Sequence, residues 1–234
     1  MKNKNGWWVH DDEKDKWYNT WSKERGDYQN YLIPYLHQYV KEKKVALDIG
    51  ACYGATVHGL AKEFETVHAF EINPEFIEPM KKNLEDCDNV IIHNVGLGEK
   101  NRKVRYQHKK TGGRSRVLFE DGILADDFNV EWVRKYEDKN NHIEHKKYME
   151  LEVKKLDDYE FDRVDLIKID VECMEPLVIF GALETIKKHK PVIVAEALLP
   201  LHREVIGFLL QDCLGYIKRS RKDRDHTWVP SKND

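Results

Sequence analysis

Residues 45–54 read VALDIGACYG, an apolar run that contains Asp48 and continues into a turn bracketed by Gly50 and Gly54. The next residues, GATVHGLAKEF, have the apolar spacing of a helix. Glycines at a strand-to-helix turn permit a tight bend and let the backbone approach a ligand at the helix N-terminus. The stretch therefore predicts a buried strand, a helix and a ligand site between them. The alternative is an ordinary turn in which the glycines only cap the helix.

The segments on either side of this turn continue the alternation of strand and helix. Strands are predicted at TVHAFEI, NVIIHNVGLG, VDLIKID and PVIVAEA, and helices at PEFIEPMKKNLEDC, EPLVIFGALETIKKHK and LHREVIGFLLQDCL. Pro74 suits the first position of its helix. Connections of this length imply a mostly parallel sheet with helices on both faces. The predicted fold class is therefore α/β, with a single doubly wound sheet.

Two segments fall outside this alternation. Residues 1–40, with four tryptophans and with helical spacing from Tyr28 to Val40, predict an N-terminal helical arm or lid. Residues 41–234 then form one domain with a polar insertion at about 101–163. The insertion opens with the strand-like KVRYQHKKTGGRSRV and ends near the strand candidate MELEV. Its TGGRS turn (residues 111–115) either lines an acceptor pocket or is a plain hairpin loop.

Composition limits the classes of function. The net charge of -3 argues against a protein that binds nucleic acid through its overall charge, although a local basic patch is compatible with it. The four cysteines form no C-x-x-C and no matching Cys/His pair, so we predict no metal site. We find no signal peptide and no apolar run near the ~20 residues of a membrane span. A cytoplasmic protein with reduced thiols and no membrane partner is expected.

An acid follows the second predicted strand at a useful distance from the glycine turn. Glu71 lies 21 residues after Gly50, where a carboxylate suits ribose hydroxyls. The turn lacks the middle glycine of the nicotinamide fingerprint G-x-G-x-x-G, which cradles a pyrophosphate. S-adenosylmethionine carries no phosphate and favours a nearby acid, here Asp48. The turn therefore fits S-adenosylmethionine better than a dinucleotide. Asn94, after the third strand, either meets the adenosine or closes a turn with its own backbone.

Three carboxylates cluster in KIDVECME (residues 168–175), where a strand ends and a helix begins. Period-two alternation puts Asp170 and Glu172 on one face at the carboxyl end of the strand, where ligands bind in open α/β sheets. Either acid is a candidate general base, or an anchor for the acceptor or for the methionine amino group. Glu175 precedes Pro176, and we assign it mainly to the start of the helix.

Four blocks together resemble the FkbM-type S-adenosylmethionine-dependent methyltransferases: DIGACYG, HAFEINP, NVGLGEKNRKV and DLIKIDVECMEPLVIFGALETIKKHKPVIVAEA. The resemblance runs from about Tyr28 to about Glu196, with a weaker tail to Pro230. It implies a class I methyltransferase fold, a seven-stranded, mostly parallel sheet whose last strand is antiparallel. It also implies methylation of a hydroxyl group, often on a sugar or a polyketide-like product.

The resemblance also assigns residues. The motifs place the cofactor at Asp48, Gly50, Ala51, Gly54, Glu71, Asn73 and Asn94, and we add their neighbours Cys52, Tyr53 and Ile72, together with Val95 and Asp170. Asp170 and Glu172 match the family's Asp-Val-Glu and are the predicted catalytic residues. The family usually has glycine next, where this sequence has Cys173. If that position needs a positive φ, the side chain costs about 1 kcal/mol.

The predicted function is an S-adenosylmethionine-dependent O-methyltransferase that acts on a hydroxyl of a small molecule or glycan. A nucleic-acid or protein methyltransferase is the first alternative, with the N-terminal tryptophans and the basic run KRSRKDR holding the substrate. Against it, no Asn/Asp-Pro-Pro-Tyr-like motif of amino methylation follows the fourth strand. A non-catalytic cofactor-binding protein on the same fold is the other alternative, and Cys173 is its best support.

Overall fold

The computed structural model describes residues 1–13, 32, 36–107, 116–118, 148–222 and 224–231. The strands of the central sheet are β3 (Val45–Ile49), β4 (Thr66–Phe70), β5 (Val90–His93), β10 (Leu166–Ile169), β11 (Val192–Glu196), β12 (Tyr216–Lys222) and β13 (Asp225–Pro230). The helices are α1 (Ala55–Ala61), α2 (Pro74–Asn83), α3 (Glu175–Phe180), α4 (Leu183–His189) and α5 (Pro200–Gly207), and a π-helical segment, Phe208–Cys213, continues α5. None of the helices in these ranges is long and apolar enough to cross a membrane.

The central sheet is mixed, with strand order β12-β13-β11-β10-β3-β4-β5. The pairs β11·β10, β10·β3, β3·β4 and β4·β5 are parallel. Strand β13 runs antiparallel to both of its neighbours, β11 and β12. From β3 the chain continues through β4 and β5 toward one edge of the sheet, and from β10 through β11 toward the other edge. The boundary between β3 and β10 is therefore a topological switch point, which places a crevice for ligands at the carboxyl ends of these two strands.

Apolar residues cover both faces of this sheet. Alternate residues of β3 and β10 belong to different core clusters, as Ala46 and Leu166 do on one face and Leu47 and Ile167 on the other. The first face packs against residues of α1 and α2, and the second against residues of α3, α4 and α5. The near-continuous apolar runs of the parallel strands thus reflect burial on two sides.

The predicted insertion contributes a second sheet. Strands β6 (Gly96–Leu97), β7 (Arg102–Gln107), β8 (Arg116–Leu118) and β9 (Tyr148–Lys154) pair in the order β6-β9-β7-β8. The strand candidates at both ends of the insertion are therefore confirmed, and a short 3₁₀ turn, Leu156–Asp158, follows β9. The TGGRS turn lies outside the described residues, as do residues 119–147.

The N-terminal arm begins as a hairpin and not as a helix, which corrects the prediction for its first residues. Strands β1 (Lys2–Lys4) and β2 (Trp7–Val9) pair antiparallel across Asn5 and Gly6, both at positive φ (52° and 86°). Asn-Gly is the strongest short hairpin signal in a sequence, and the helical prediction left it out of account. Further along, Leu32 and Leu36 are helical and buried, while residues 14–31 and 33–35 lie outside the described part.

The single helix predicted over residues 175–190 is also wrong, because it is divided into α3 and α4 at Gly181. A Cβ on Gly181 would overlap the carbonyl oxygen of Gly98 and lie 2.8 Å from its carbonyl carbon. The loop after β6 therefore presses directly on the backbone between the two helices. Asp157 caps the second helix, since its Oδ1 accepts the backbone N–H of Thr185 at 2.8 Å.

We expect Gly181→Ala to lower the free energy of unfolding by about 1–3 kcal/mol, because the methyl group has no space. Gly207→Ala is the matched control: the nearest atom to its Cβ position is Gln211 Oε1 at 3.7 Å. The free energy of unfolding of that variant should be unchanged or rise by up to about 1 kcal/mol, since alanine is more favourable than glycine in a helix. Chemical denaturation measures both, and equal effects would contradict the close contact.

Candidate functional site

The glycine turn is tied to the ends of two neighbouring strands. The backbone N–H groups of Gly50 and Ala51 both donate to Phe70 O, at 2.9 and 3.0 Å. Gly50 has φ +89°, and a Cβ there would overlap the carbonyl oxygen of Asp170. Glycine is thus required both by its backbone conformation and by the approach of the turn to the end of β10. Gly54, at φ +83°, is the N-cap of α1.

Glu71 lies beneath the turn and holds it. Its Oε2 accepts the backbone N–H of Cys52 at 2.8 Å, and its Oε1 accepts that of Asn73 at 2.7 Å. Burial raises the pKa of Glu71 to about 7, against the opposing effect of the backbone donors and with a smaller contribution from the Asp48 charge. Asn73 is the N-cap of α2 and accepts from Glu75 N at 3.0 Å. The predicted ribose carboxylate therefore lies at the turn, joined to both helix starts.

A buried lysine joins two of the predicted acids. Lys168 Nζ lies 3.5 Å from Asp48 Oδ1 and 3.4 Å from Asp170 Oδ2. The Asp48 side chain is 1% exposed, and neither of its oxygens has a hydrogen-bond partner among the described residues. Burial raises the pKa of Asp48 to about 6, with Lys168 opposing the rise. The sequence pattern gave Lys168 no role.

A third acid, Glu196, stands beside Asp170 at the same edge of the sheet. Ile169 is in register with Ala195, so the next residues, Asp170 and Glu196, are neighbours, and Glu196 is in turn paired with Asp225. Burial, followed by the charges of Asp170, Glu175 and Asp225, raises the pKa of Glu196 to about 8. Sequence reasoning missed Glu196, although its position at the end of the strand PVIVAEA could have revealed it.

The turn after β10 has an unusual backbone. Glu172 and Cys173 have φ values of +54° and +74°. The buried carboxylate of Glu175 supports this conformation, since its Oε1 accepts from Val171 N at 3.1 Å and from Cys173 N at 3.2 Å. Cys173 therefore occupies a left-handed position, where the family has glycine. Glu175 organises this turn from the first residue of α3.

Two predicted cofactor residues after β5 take part in packing and in hydrogen bonds to the backbone after β4. The Asn94 side chain is exposed and donates through Nδ2 to Glu71 O at 2.8 Å and to Ile72 O at 3.3 Å. Asn94 thus bonds to the backbone after β4 and not to its own turn, so the turn-closing alternative is not the arrangement found. Val95 is buried in the apolar core, and Ile72 is half-buried beside Gly96.

The N-terminal hairpin is attached to the glycine turn. Tyr53 Oη donates to Glu13 Oε2 at 2.8 Å, and both groups are buried. Asn83, at the end of α2, accepts from Trp8 N at 2.7 Å and donates to Trp8 O and Tyr53 O at 2.9 and 2.8 Å. Val9, Tyr53 and Phe76 form an apolar cluster between them. Sequence reasoning missed Glu13 and Asn83, since nothing local to either residue indicates its partner.

The order of the central sheet and the glycine turn with its flanking acids are those of the class I methyltransferase fold. The sequence matches the family described as Methyltransferase FkbM domain over residues 48–218, and the chain belongs to this family. The predicted family is thereby confirmed. No curated protein sequence is significantly similar to this chain.

Solved structures resemble the chain at low sequence identity. Methyltransferase FkbM from Methylobacillus flagellatus superposes with a TM-score of 0.52 and 17% identity, over 84% of this chain and 50% of that one. The chain thus spans half the length of that protein. Precorrin-6y C5,15-methyltransferase from Geobacter metallireducens gives a TM-score of 0.47 at 16% identity, over 95% of both chains. Aeropyrum pernix fibrillarin, solved with natively bound S-adenosyl-L-methionine, gives 0.43 at 11%, over 81% of this chain and 66% of that one.

We expect Asn83→Ala to lower the free energy of unfolding by about 1–3 kcal/mol, because it removes the partner of three backbone groups at the hairpin and the glycine turn. Lys82→Ala is the control, since the side chain of Lys82 is 44% exposed and its ion pair with Glu85 lies at the surface. It should change the free energy by less than about 0.5 kcal/mol. Urea denaturation compares them, and two equal values would contradict the docking of the hairpin through Asn83.

We expect Glu196 to make the protein less stable as pH rises. Its folded pKa of about 8 exceeds the ordinary 4.5, so the extra proton stabilises the folded state below about 4.5 and this contribution is lost progressively up to about 8. Glu196→Gln cannot lose this contribution, so its free energy of unfolding relative to wild type should rise by roughly 1–3 kcal/mol between about pH 5 and 8. Glu204→Gln, at an exposed residue, is the control, and its free energy of unfolding should differ from that of wild type by the same amount at every pH. Denaturation at several pH values tests this, and parallel profiles for all three proteins would contradict it.

Proposed function

We propose that this chain is an S-adenosylmethionine-dependent O-methyltransferase that acts on a hydroxyl group of a small molecule or a glycan. The observation that carries the proposal is the row of acids at the glycine turn, Asp48 and Asp170 joined through Lys168 and continued by Glu196. Membership of a methyltransferase family supports the reaction class. The row of acids supports a hydroxyl acceptor, because a carboxylate could take the proton that the hydroxyl loses.

The residues at the turn fit S-adenosylmethionine. Gly50 offers a backbone surface without a side chain, and the buried oxygens of Asp48 could accept from an ammonium group. Glu71 is the acid suited to ribose hydroxyls. A dinucleotide would bring a pyrophosphate to a turn flanked by carboxylates, which repel it. When bound, S-adenosylmethionine supplies an electrophilic methyl group on a positively charged sulfur.

An alcohol acceptor must lose its proton during methyl transfer, so a nearby base is useful. The side chain of Asp170 is 23% exposed at the crevice, and its neighbour on the adjacent strand, Glu196, has a pKa of about 8. A carboxyl group with a pKa near neutrality can both accept and release a proton under physiological conditions. We propose that Asp170 and Glu172 orient the acceptor hydroxyl and that the Asp170–Glu196 pair takes its proton.

The location and the alternatives belong to the same proposal. A cytoplasmic location is supported by the cysteines, since none of the four, all of which lie in the described ranges, forms a disulfide. Nucleic-acid and protein methylation are the competing reactions. They differ from the proposed one in acceptor and not in the cofactor site.

We expect Asp170→Asn and Glu172→Gln to reduce methyl transfer by about 10²–10⁴-fold, because each removes a carboxylate that holds or deprotonates the acceptor. Radiolabelled methyl transfer to a panel of glycans, lipids, RNA, DNA and protein measures this and identifies the acceptor class. Glu204→Gln serves as the control, because this exposed acid lies on α5.

Calorimetry with S-adenosylmethionine separates the parts of the proposal. Wild type should bind it, and Asp48→Asn should bind more weakly because a buried anion is lost. A folded wild type that does not bind would refute the cofactor assignment. If binding is intact but Asp170→Asn and Glu172→Gln both transfer methyl groups at the wild-type rate, the assignment of the base is wrong.

A further inference from the structure

A group of metal-ligating side chains lies outside the site described above, between α1 and the turn that follows α2. His58 belongs to α1, and Asp86 and Cys87 follow the end of α2. Their donor atoms, an imidazole nitrogen, a carboxylate oxygen and a thiol sulfur, all lie within 4.8 Å of one another. The sequence predicted no metal site because His58 is far in the chain from the adjacent Asp86 and Cys87, and the three match no ligand spacing.

Packing sets the positions of two of these donors. His58 is 3% exposed, and its ring meets the ring of Trp7 edge to face with 5.7 Å between centroids. Cys87 is half-buried against the apolar core on the α1 and α2 face of the sheet, in a turn closed by its N–H to Leu84 O at 2.9 Å. Asp86 has a side chain that is 55% exposed. The group therefore combines two constrained donors with one that can adjust.

The geometry is close to that of a tetrahedral zinc site. Zn–N and Zn–S bonds of about 2.0–2.3 Å separate neighbouring ligand atoms by roughly 3.3–3.8 Å. His58 Nε2 and Asp86 Oδ2 are 3.8 Å apart, and Cys87 Sγ and Asp86 Oδ1 are also 3.8 Å apart. At these distances a direct ion pair or hydrogen bond between the three groups is weak. The imidazole nitrogen of His58 and Cys87 Sγ lie within 4.8 Å of each other, so the three donors need only a modest approach to bind one ion.

We propose that His58, Asp86 and Cys87 bind one Zn²⁺ ion, with water in the fourth position. A nitrogen, oxygen and sulfur set suits zinc, whereas Mg²⁺ and Ca²⁺ require oxygen ligands. The thiolate and the carboxylate together neutralise the charge of the ion, and the neutral imidazole completes the set. The site is independent of the proposed methyl transfer and does not rely on it.

The ion would connect elements that support the glycine turn. Helix α1 starts at that turn, α2 starts at Asn73 beneath it, and Trp7 extends the contact to the N-terminal hairpin. Because an ion that binds only the folded state stabilises it, zinc should raise the melting temperature. The glycine turn would then be stiffened through α1 and α2.

Cobalt titration tests the proposal, because tetrahedral Co²⁺ with a thiolate ligand has visible d–d bands and a thiolate-to-metal charge-transfer band. We expect EDTA-treated wild type to saturate at one equivalent of Co²⁺ and Zn²⁺ to displace it. Cys87→Ser should lose the charge-transfer band, and Asp86→Asn should weaken binding. The matched controls are Cys213→Ser, at an exposed cysteine, and Glu85→Gln, beside the site, and both should retain the spectrum.

Thermal unfolding provides the second measurement. Zinc should raise the melting temperature of wild type by several degrees (about 2–4 °C for each kcal/mol of binding free energy) and leave Cys87→Ser unchanged. Circular dichroism confirms that each variant is folded, and both substituted side chains reach the surface, so neither is expected to prevent folding. The proposal is overturned if folded wild type shows no saturable cobalt spectrum. It is equally overturned if Cys213→Ser removes the spectrum or if zinc stabilises Cys87→Ser as much as wild type.

Discussion

The turn after β3 can form only because residue 50 carries no side chain. Its backbone lies against the carbonyl of Asp170 at the end of the adjacent strand, where any Cβ would overlap. This contact brings the ends of β3 and β10 together and lets Gly50 and Ala51 donate to the end of β4. The acids that follow these strands are then neighbours, although long stretches of sequence separate them.

Acids that lie this close together repel each other, and a buried lysine offsets the repulsion. The carboxylates of Asp48 and Asp170 repel each other, and the repulsion is stronger because Asp48 is buried. Lys168 supplies the offsetting positive charge from the same face of β10. Farther along the row, Glu196 pairs among the described residues with the 61% exposed Arg224, whose Nη1 is 3.9 Å away, and burial keeps the pKa of Glu196 raised to about 8.

The glycine turn is also held from the opposite side. Glu71 accepts from Cys52 N, while Tyr53 donates to Glu13 and Asn83 bridges Trp8 and Tyr53. The N-terminal hairpin is therefore part of the wall of the site. In contrast to Gly50, Cys173 carries a side chain at a positive φ of +74°. The buried carboxylate of Glu175 stabilises this conformation, because it accepts the backbone N–H groups of Val171 and Cys173.

The sequence by itself determined the alternation of strands and helices, the glycine turn, the family and the edge of the sheet at which the acids meet. These features depend on local periodicity, on glycine and proline, and on the rule that parallel strands end together. Only the tertiary structure decided that Lys168 lies between Asp48 and Asp170 and that Glu196 stands beside them, because strand register sets those neighbours. It also decided the docking of the Asn5–Gly6 hairpin, the division of the helix at Gly181 and the meeting of His58 with Cys87. Each of these depends on contacts between residues that are distant in the chain, and such contacts leave no periodic signal in the sequence.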